Sequence, residues 1–172
     1  MKALVVLWAD PGDTTGWSLH RAPIDLLLRE GQVGAMRQVK WSSGQFNYGG
    51  TSANVDAYLD LARAAYEKVA DDEDVFVIGS ESFTLRMLST EPSLLEPVRF
   101  NSVIDDRLRG TGWWVERQSP SDAKNAITDA RLKLWGAYKP GADHARDAQR
   151  HGLLFLRRFA TQSALRKRYG WE

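Results

Sequence analysis

Three short segments carry side chains that could bind divalent cations or transfer protons. In ADPGDTTGW, Asp10 directly follows the apolar stretch LVVLWA, and in VIGSESF, Glu81 directly follows VFVIG. In ADHARDAQRH, His144 and Asp147 stand three residues apart. Each segment also has an ordinary explanation: an Asp-Pro-Gly turn, an acid at a strand end, and a hydrogen-bonded core histidine. The chemistry therefore depends on whether the three segments meet.

The third segment lies in a stretch with helical periodicity, residues 142–159. At 3.6 residues per turn, His144, Asp147 and His151 fall within an arc of about 60°. Apolar residues share this side, namely Ala148, Phe155 and Phe159. The opposite, solvated side is predicted to carry Arg146, Gln149, Arg150 and Arg157. An amphipathic helix normally keeps ionisable groups off its apolar stripe, so His144 and Asp147 are predicted to face the sheet for a functional reason.

The pattern along the chain predicts the elements that position these side chains. Strands are predicted at Leu4–Ala9, Thr15–Arg21, Gln32–Trp41, Val75–Gly79 and Trp113–Arg117. Helices are predicted at Asn54–Val69, Pro92–Arg109, Asp122–Ile127, Ala130–Tyr138 and Ala142–Phe159, and loops at Ser42–Ser52 and Thr84–Ser93. This order predicts an α/β fold, a mixed five-stranded sheet flanked by helices, in a single domain over residues 1–172.

If the strand ends and the inward helix face meet, the carboxylates of Asp10, Glu81 and Asp147 repel one another strongly in a low dielectric. Divalent cations would remove this repulsion. Carboxylate oxygens suit Mg²⁺ or Mn²⁺, and the imidazole of His144 adds tolerance for Mn²⁺. Two such ions about 4 Å apart activate a water and stabilise the leaving oxygen in phosphodiester hydrolysis. The sequence therefore predicts two ions per active site and a polyanionic substrate.

Composition narrows the class of protein further. The chain has 172 residues and no cysteine, which excludes disulfides, Cys-ligated zinc and thiol catalysis and fits a reducing compartment. It has no signal-like N-terminus and no apolar run near the roughly 20 residues that span a bilayer, so we expect a cytoplasmic protein. Residues 1–100 carry 9 Lys+Arg against 14 Asp+Glu, whereas residues 101–172 carry 14 against 8. The basic half is either a phosphate-facing surface or a set of solvated helix faces.

Four segments, taken in order, resemble the RuvC-like Holliday junction resolvases of the ribonuclease H-like superfamily. They are ADPGDTTGW, VIGSESF, PSDAKNAITDARLK and HARDAQRH. The similarity is greatest to their phage-borne versions and spans essentially the whole chain. The resemblance implies a ribonuclease H-like fold and a crossover junction endodeoxyribonuclease that depends on magnesium or manganese. It also implies a homodimer that cuts a four-way DNA junction during recombination or repair, in the bacterial cytoplasm or a phage-infected host cell.

The resemblance assigns the metal ligands as Asp10, Glu81, His144 and Asp147. His144 stands where many relatives have an aspartate and some have a histidine, so the site would hold one negative charge fewer. This departure leaves the preferred metal open.

The resemblance also implies contacts with the substrate. Lys124 matches a lysine near the scissile phosphate, where it would stabilise negative charge, and Lys133 is a looser match. Phe83 matches an aromatic residue that stacks on bases, and Arg86 would lie along the DNA. The alternatives are helix solvation for the two lysines and a core position for Phe83.

Three other functions are compatible with parts of the pattern. An actin-like ATPase or sugar kinase has a similar D-x-G-T-T-G loop but is far longer. A nuclease of the same fold with a broader branched-DNA or flap substrate would share every motif. A non-catalytic DNA-binding module would not need all the acids. Substrate comparison separates the second function from a resolvase.

Overall fold

A five-stranded sheet with the order β3-β2-β1-β4-β5 forms the centre of the molecule. The computed structural model describes residues 2–29, 31–70, 74–83, 92–113 and 115–171. The strands are β1 (Ala3–Asp10), β2 (Thr15–Pro23), β3 (Lys40–Phe46), β4 (Val75–Glu81) and β5 (Val115–Gln118). β2 pairs antiparallel with β1 and β3, whereas β4 pairs parallel with β1 and β5. The predicted α/β fold with a mixed five-stranded sheet is confirmed.

Strand β1 is central because its sequence, ALVVLWAD, is apolar on both faces until the terminal acid. All eight of its residues are buried. Leu4, Val6 and Trp8 belong to the larger hydrophobic core, and Leu7 and Ala9 belong to a second core on the other face. A strand that is covered on both faces has a continuous run of apolar residues, which is why this element is recognisable from sequence.

Helices cover both faces of the sheet. Their bounds are α1 (Ile24–Arg29), α2 (Gly31–Arg37), α3 (Thr51–Ala70), α4 (Pro92–Leu108), α5 (Pro120–Ala126), α6 (Asp129–Leu134), α7 (Asp143–Thr161) and α8 (Ser163–Arg168). α3 and α4 supply Val55, Tyr58, Phe100 and Ile104 to the second core. α7 packs on the first core through Leu153, Phe155, Leu156 and Phe159. None of the helices in the described ranges is long and apolar enough to cross a membrane.

Helix α7 is covered on nearly all sides, which differs from the sequence prediction. Every residue from 145 to 160 is buried or half-buried. The predicted solvated side is therefore wrong: Gln149 is buried, and Arg146, Arg150 and Arg157 are half-buried. The side chains of Arg150 and Arg157 donate to the carbonyls of Ile127 and Ala126, at 3.1 and 3.2 Å. These arginines face the end of α5 rather than water.

Two further boundaries differ from expectation. The predicted strand Gln32–Trp41 is wrong, because residues 31–37 form α2 and the third strand begins at Lys40. The predicted loop Ser42–Ser52 contains most of β3 and the start of α3. β3 lies at the sheet edge, and none of its residues is fully buried, so it lacks the apolar run that identifies a strand. The short helices α1 and α8 were not predicted, and most of the predicted loop Thr84–Ser93 lies outside the described residues.

A buried histidine on β2 makes the fold sensitive to acid. His20 is fully buried, its Nε2 lies 3.1 Å from the Ser18 hydroxyl, and burial lowers its pKa to about 3. The ring packs so closely against α7 that a Cβ at Gly152 would overlap it. The unfolded chain binds a proton on this ring near pH 6.5 and the folded chain does not. Folding stability is therefore lost as the pH falls below about 6.5.

We expect the free energy of unfolding to fall by about 3 kcal/mol through His20 alone between pH 6.5 and pH 4. In His20→Asn this part of the pH dependence is absent, because asparagine does not titrate there. Urea unfolding at several pH values measures the slope of the free energy of unfolding against pH for each protein. A loss of stability in the variant that is the same at every pH does not affect the comparison. Equal slopes for the two proteins would contradict a neutral, buried His20.

Candidate active site

The parallel pairing of β1 and β4 brings the first two acids to one edge of the sheet. Ala9 is in register with Ser80, so Asp10 and Glu81 follow on neighbouring strands at their carboxyl ends. Ligands of α/β sheets bind at such ends because the chain turns away there and leaves a crevice. The side chain of Asp10 is 10% exposed and that of Glu81 is 13% exposed. Both carboxylates are therefore largely removed from water.

Helix α7 reaches this edge because the second residue of β2, Gly16, has no side chain. A Cβ at Gly16 would overlap the backbone carbonyl of His144. This close approach places His144 Nδ1 2.8 Å from Asp10 Oδ2. The predicted proximity of Asp10 and His144 thus depends on a residue without a side chain, Gly16, which pairs with Asp10 across the sheet.

Asp147 lies one turn further along α7 and is held by two cations. Its carboxylate forms an ion pair with Lys124 Nζ at 3.1 Å and another with Arg150. Arg150 also pairs with Asp129 at the start of α6. Asp147 is therefore oriented by a bridge that joins three helices.

The same contacts explain why Lys124 is beside the site. Its helix, α5, begins at Pro120 with Ser119 as N-cap and ends against α7, where Arg150 and Arg157 bind its last carbonyls. Arginine side chains at a helix C-terminus satisfy carbonyls that lack intrahelical partners. Lys124 is consequently fixed at its backbone, and its side chain, 54% exposed, extends over Asp147.

Glu81 is held from two directions. His151 Nε2 lies 3.0 Å from Glu81 Oε2, and His151 Nδ1 lies 3.2 Å from Gln118 Oε1 on β5. At the backbone, Asn101 of α4 donates to the Glu81 carbonyl at 2.9 Å. The sequence reasoning placed His151 on the inward face of α7 but gave it no role. Its spacing of four residues from Asp147 was the available signal.

Electrostatic interactions tie the site together. Burial raises the pKa of Asp10 to about 6, the hydrogen bond from His144 opposes this, and the charges of Glu81 and Asp147 raise it further. The hydrogen bond to Asp10 raises the pKa of His144 above its usual value. For Lys124, burial works against the charged form, but the bond to Asp147 and the nearby acids raise its pKa overall. The acids of all three segments therefore act on one another.

We tested whether this donor set suits a divalent cation. In the described ranges, no three His, Asp or Glu side chains are gathered around one point as a ready metal site. Instead, each acid is paired with a protein cation or an imidazole. The donor chemistry nevertheless fits: the three carboxylates and one imidazole act on one another, and burial raises the pKa of Asp10, which a nearby cation would lower. Mg²⁺ or Mn²⁺ would compete with His144, Lys124 and Arg150 for these oxygens.

The predicted DNA contacts are placed less closely together. Phe83 is half-buried just beyond the end of β4, and Arg86 lies outside the described residues. Lys133 is on α6, where its ammonium lies 4.8 Å from the centre of the Tyr138 ring. Of the predicted substrate-binding residues that the structure describes, Lys124 is the one that it pairs with an acid of the site.

The basic C-terminal half is partly neutralised within the fold. Its arginines form ion pairs with acids in Arg117–Asp105, Arg146–Asp143, Arg150–Asp129, Arg158–Asp122 and Arg168–Glu116. Much of the positive charge counted in the sequence therefore stabilises contacts between elements. Lys124 is likewise paired, with Asp147, and the acids of the site raise its pKa.

The sheet order and the helices on both faces are those of a ribonuclease H-like fold. Two solved structures match it over almost their whole length: "T. thermophilus RuvC in complex with Holliday junction substrate" and "Thermus thermophilus RuvC structure". The TM-scores are 0.53 and 0.54, each at 14% identity. The alignments cover 98% and 97% of this chain and 97% of each of those chains.

No protein-family model and no curated protein sequence matches the chain. The ribonuclease H-like fold is confirmed, whereas the similarity to phage-borne versions stays a prediction.

The close approach of β2 and α7 generates a first test of the site. Gly16→Ala forces the N-terminus of α7 away from the sheet, and we expect the free energy of unfolding to fall by about 1–3 kcal/mol. The displacement also separates His144 from Asp10. Urea unfolding measures the first effect, and the ring resonances of His144 report the second. Asp13→Ala, in the same turn but exposed, should stay within about 0.5 kcal/mol of the wild type. Equal stability of Gly16→Ala and wild type would contradict the packing.

The buried Asp10 generates a second test. In EDTA, its raised pKa means that the folded state holds a proton that the unfolded chain releases near pH 3.8. Stability is therefore lost as the pH rises from about 4 to about 6. Asp10→Asn removes this cost, so we expect the variant to be about 2 kcal/mol more stable than wild type at pH 7.5 and nearly equal at pH 4. A less stable variant at pH 7.5 would contradict the burial argument.

Proposed function

We propose that this chain, as a single domain over residues 1–172, is a metal-dependent, structure-selective DNA endonuclease that resolves four-way junctions by phosphodiester hydrolysis. The observation that carries the proposal is the convergence of Asp10, Glu81, His144 and Asp147, from three distant segments, at one edge of a RuvC-like fold. One of the matching structures is described as a complex with a Holliday junction substrate, which supports branched DNA as the substrate class.

Asp10, Glu81, His144 and Asp147 would hold two Mg²⁺ or Mn²⁺ ions. Bound there, the ions would supply an activated water and stabilise the leaving oxygen. The elements that carry these side chains are held in place by Gly16, Asn101 and the Arg150 bridge. Positioned groups of this kind lower the barrier because their geometry is set before the substrate arrives.

Lys124 has the geometry to receive a phosphate oxygen. Its ammonium is paired with Asp147, and its side chain is more than half exposed. A charged donor held beside largely buried acids would stabilise negative charge as it develops on the phosphate. Phe83, Arg86 and Lys133 extend the proposed DNA contact beyond the site, with Phe83 stacking on a base.

A four-way junction has two-fold symmetry, which a homodimer would match by presenting one site to each of two opposite strands. We therefore propose a homodimer as the active form. A nuclease acting on forks or flaps would need no such symmetry. The substrate comparison below separates these two functions.

The substrate test compares a mobile four-way junction, a Y-shaped fork and a linear duplex of the same sequence, in Mg²⁺ and in Mn²⁺. We expect the junction to be cut at least ten times faster than the other two, with paired nicks on opposite strands, since each wrong geometry costs about 1.4 kcal/mol or more. Equal rates on all three substrates would refute junction resolution and favour the broader branched-DNA nuclease.

The site test uses Asp10→Asn and Asp147→Asn. We expect each variant to bind the junction in Ca²⁺ as tightly as wild type, because it keeps the fold and the surface. Each should lose at least about 100-fold in cleavage rate, since one charge that acts on the reacting groups is gone. The exposed Asp56→Asn on α3 is a matched control that should cut normally. Full cleavage by either site variant would refute the assignment.

A further inference from the structure

A buried histidine contacts Glu81 from beneath the candidate site. His151 lies on α7 one turn after Asp147, is 1% exposed, and places Nε2 3.0 Å from Glu81 Oε2. The side chain of Glu81 is itself only 13% exposed. The histidine is therefore too deep to reach a substrate, and any effect it has on the site passes through the carboxylate.

The surroundings of His151 are those of an apolar residue. Its ring lies parallel to Trp8, with the centroids 5.7 Å apart and the planes 3° from parallel. Phe155, on the next turn of α7, packs against the same Trp8. Leu or Phe would fill this space without a polar atom. A buried imidazole is costly unless its nitrogens are hydrogen-bonded, so the contacts to Glu81 and Gln118 account for a polar residue here.

The hydrogen bonds of Gln118 indicate which atoms donate in the series of contacts from Gln118 through His151 to Glu81. Its amide nitrogen Nε2 is buried without a partner, while its Oε1 faces His151 Nδ1 at 3.2 Å. Turning the amide by half a rotation exchanges these atoms, so that Nε2–H donates to Nδ1. In that arrangement the ring accepts at Nδ1 and carries a proton on Nε2, from which it donates to Glu81.

We propose that His151 is a positioning residue that, with Gln118 behind it, holds the Glu81 carboxylate in the orientation needed to bind a divalent cation. Asn101 fixes the backbone of Glu81 and His151 fixes its side chain, so that one oxygen is occupied and the carboxylate cannot rotate freely. Partners behind a ligating side chain typically affect metal affinity or activity by about 10–100-fold.

The effect of His151 on metal binding rests on the proposed function. The contact between His151 and Glu81 does not, and it is tested first. The protein has three histidines, His20, His144 and His151. In long-range ¹H–¹⁵N spectra of the metal-free protein, we expect the His151 ring to carry its proton on Nε2. In Glu81→Gln this resonance should shift. An Nε2 without a proton, or a resonance unaffected by Glu81→Gln, would overturn the proposal.

The second test measures Mn²⁺ affinity by calorimetry and kcat on the junction. His151→Phe keeps an aromatic ring against Trp8 but removes the donor. We expect its Mn²⁺ affinity and kcat each to fall about 10–100-fold, with junction binding in Ca²⁺ unchanged. His151→Gln places an amide N–H near the position of Nε2 and should restore most of both. Failure of His151→Gln to exceed His151→Phe would overturn the role of the hydrogen bond.

Phe155→Leu is the matched control for packing, because it also perturbs the contact with Trp8 but lies one turn away from Glu81. It should lower the melting temperature and leave Mn²⁺ affinity unchanged. If Phe155→Leu weakens Mn²⁺ binding as much as His151→Phe does, His151 is merely structural and the inference fails. If the wild type neither binds Mn²⁺ nor cuts DNA, the proposed function fails instead, while the spectra still decide the contact.

Discussion

The organisation of this molecule depends on the burial of carboxylates at the carboxyl ends of β1 and β4. Removing a carboxylate from water costs several kcal/mol unless donors or positive charge replace the lost hydration. Asp10, at the end of a strand buried along its whole length, has its pKa raised to about 6 by that burial. Each neighbouring element supplies part of the compensation: His144 for Asp10, His151 for Glu81, and Lys124 with Arg150 for Asp147.

Helix α7 carries most of this compensation, which explains why it is enclosed. One side bears His144, Asp147 and His151, and the other side is covered by the short helices α5 and α6. Its arginines bind the end of α5 and the start of α6 instead of extending into water. The covering helices thereby bring Lys124 over the site. The same contacts pack α7 and position the side chains of the candidate site. Substitutions on α7 are therefore expected to affect both the stability and the site.

The burial of these acids also lowers stability. Like charges that are largely removed from water disfavour folding, so neutralising Asp10 is expected to raise the free energy of unfolding. His144 places an imidazole rather than a further carboxylate beside Asp10, and His151 gives Glu81 a buried hydrogen-bond partner.

The sequence by itself determined the strands β1 and β4, the helices α3, α4 and α7, and which side of α7 carries His144 and Asp147, although His144 is exposed rather than turned inward. These follow from local periodicity and from unbroken apolar runs, which each segment carries within itself. Only the tertiary structure decided what lies around them. β3 and the arginine-bearing side of α7 were read wrongly because an edge strand and a doubly covered helix have no distinctive pattern of their own. The contacts of Gly16, Arg150 and His151 join residues far apart in the chain, and such pairs form only when the sheet brings their elements together.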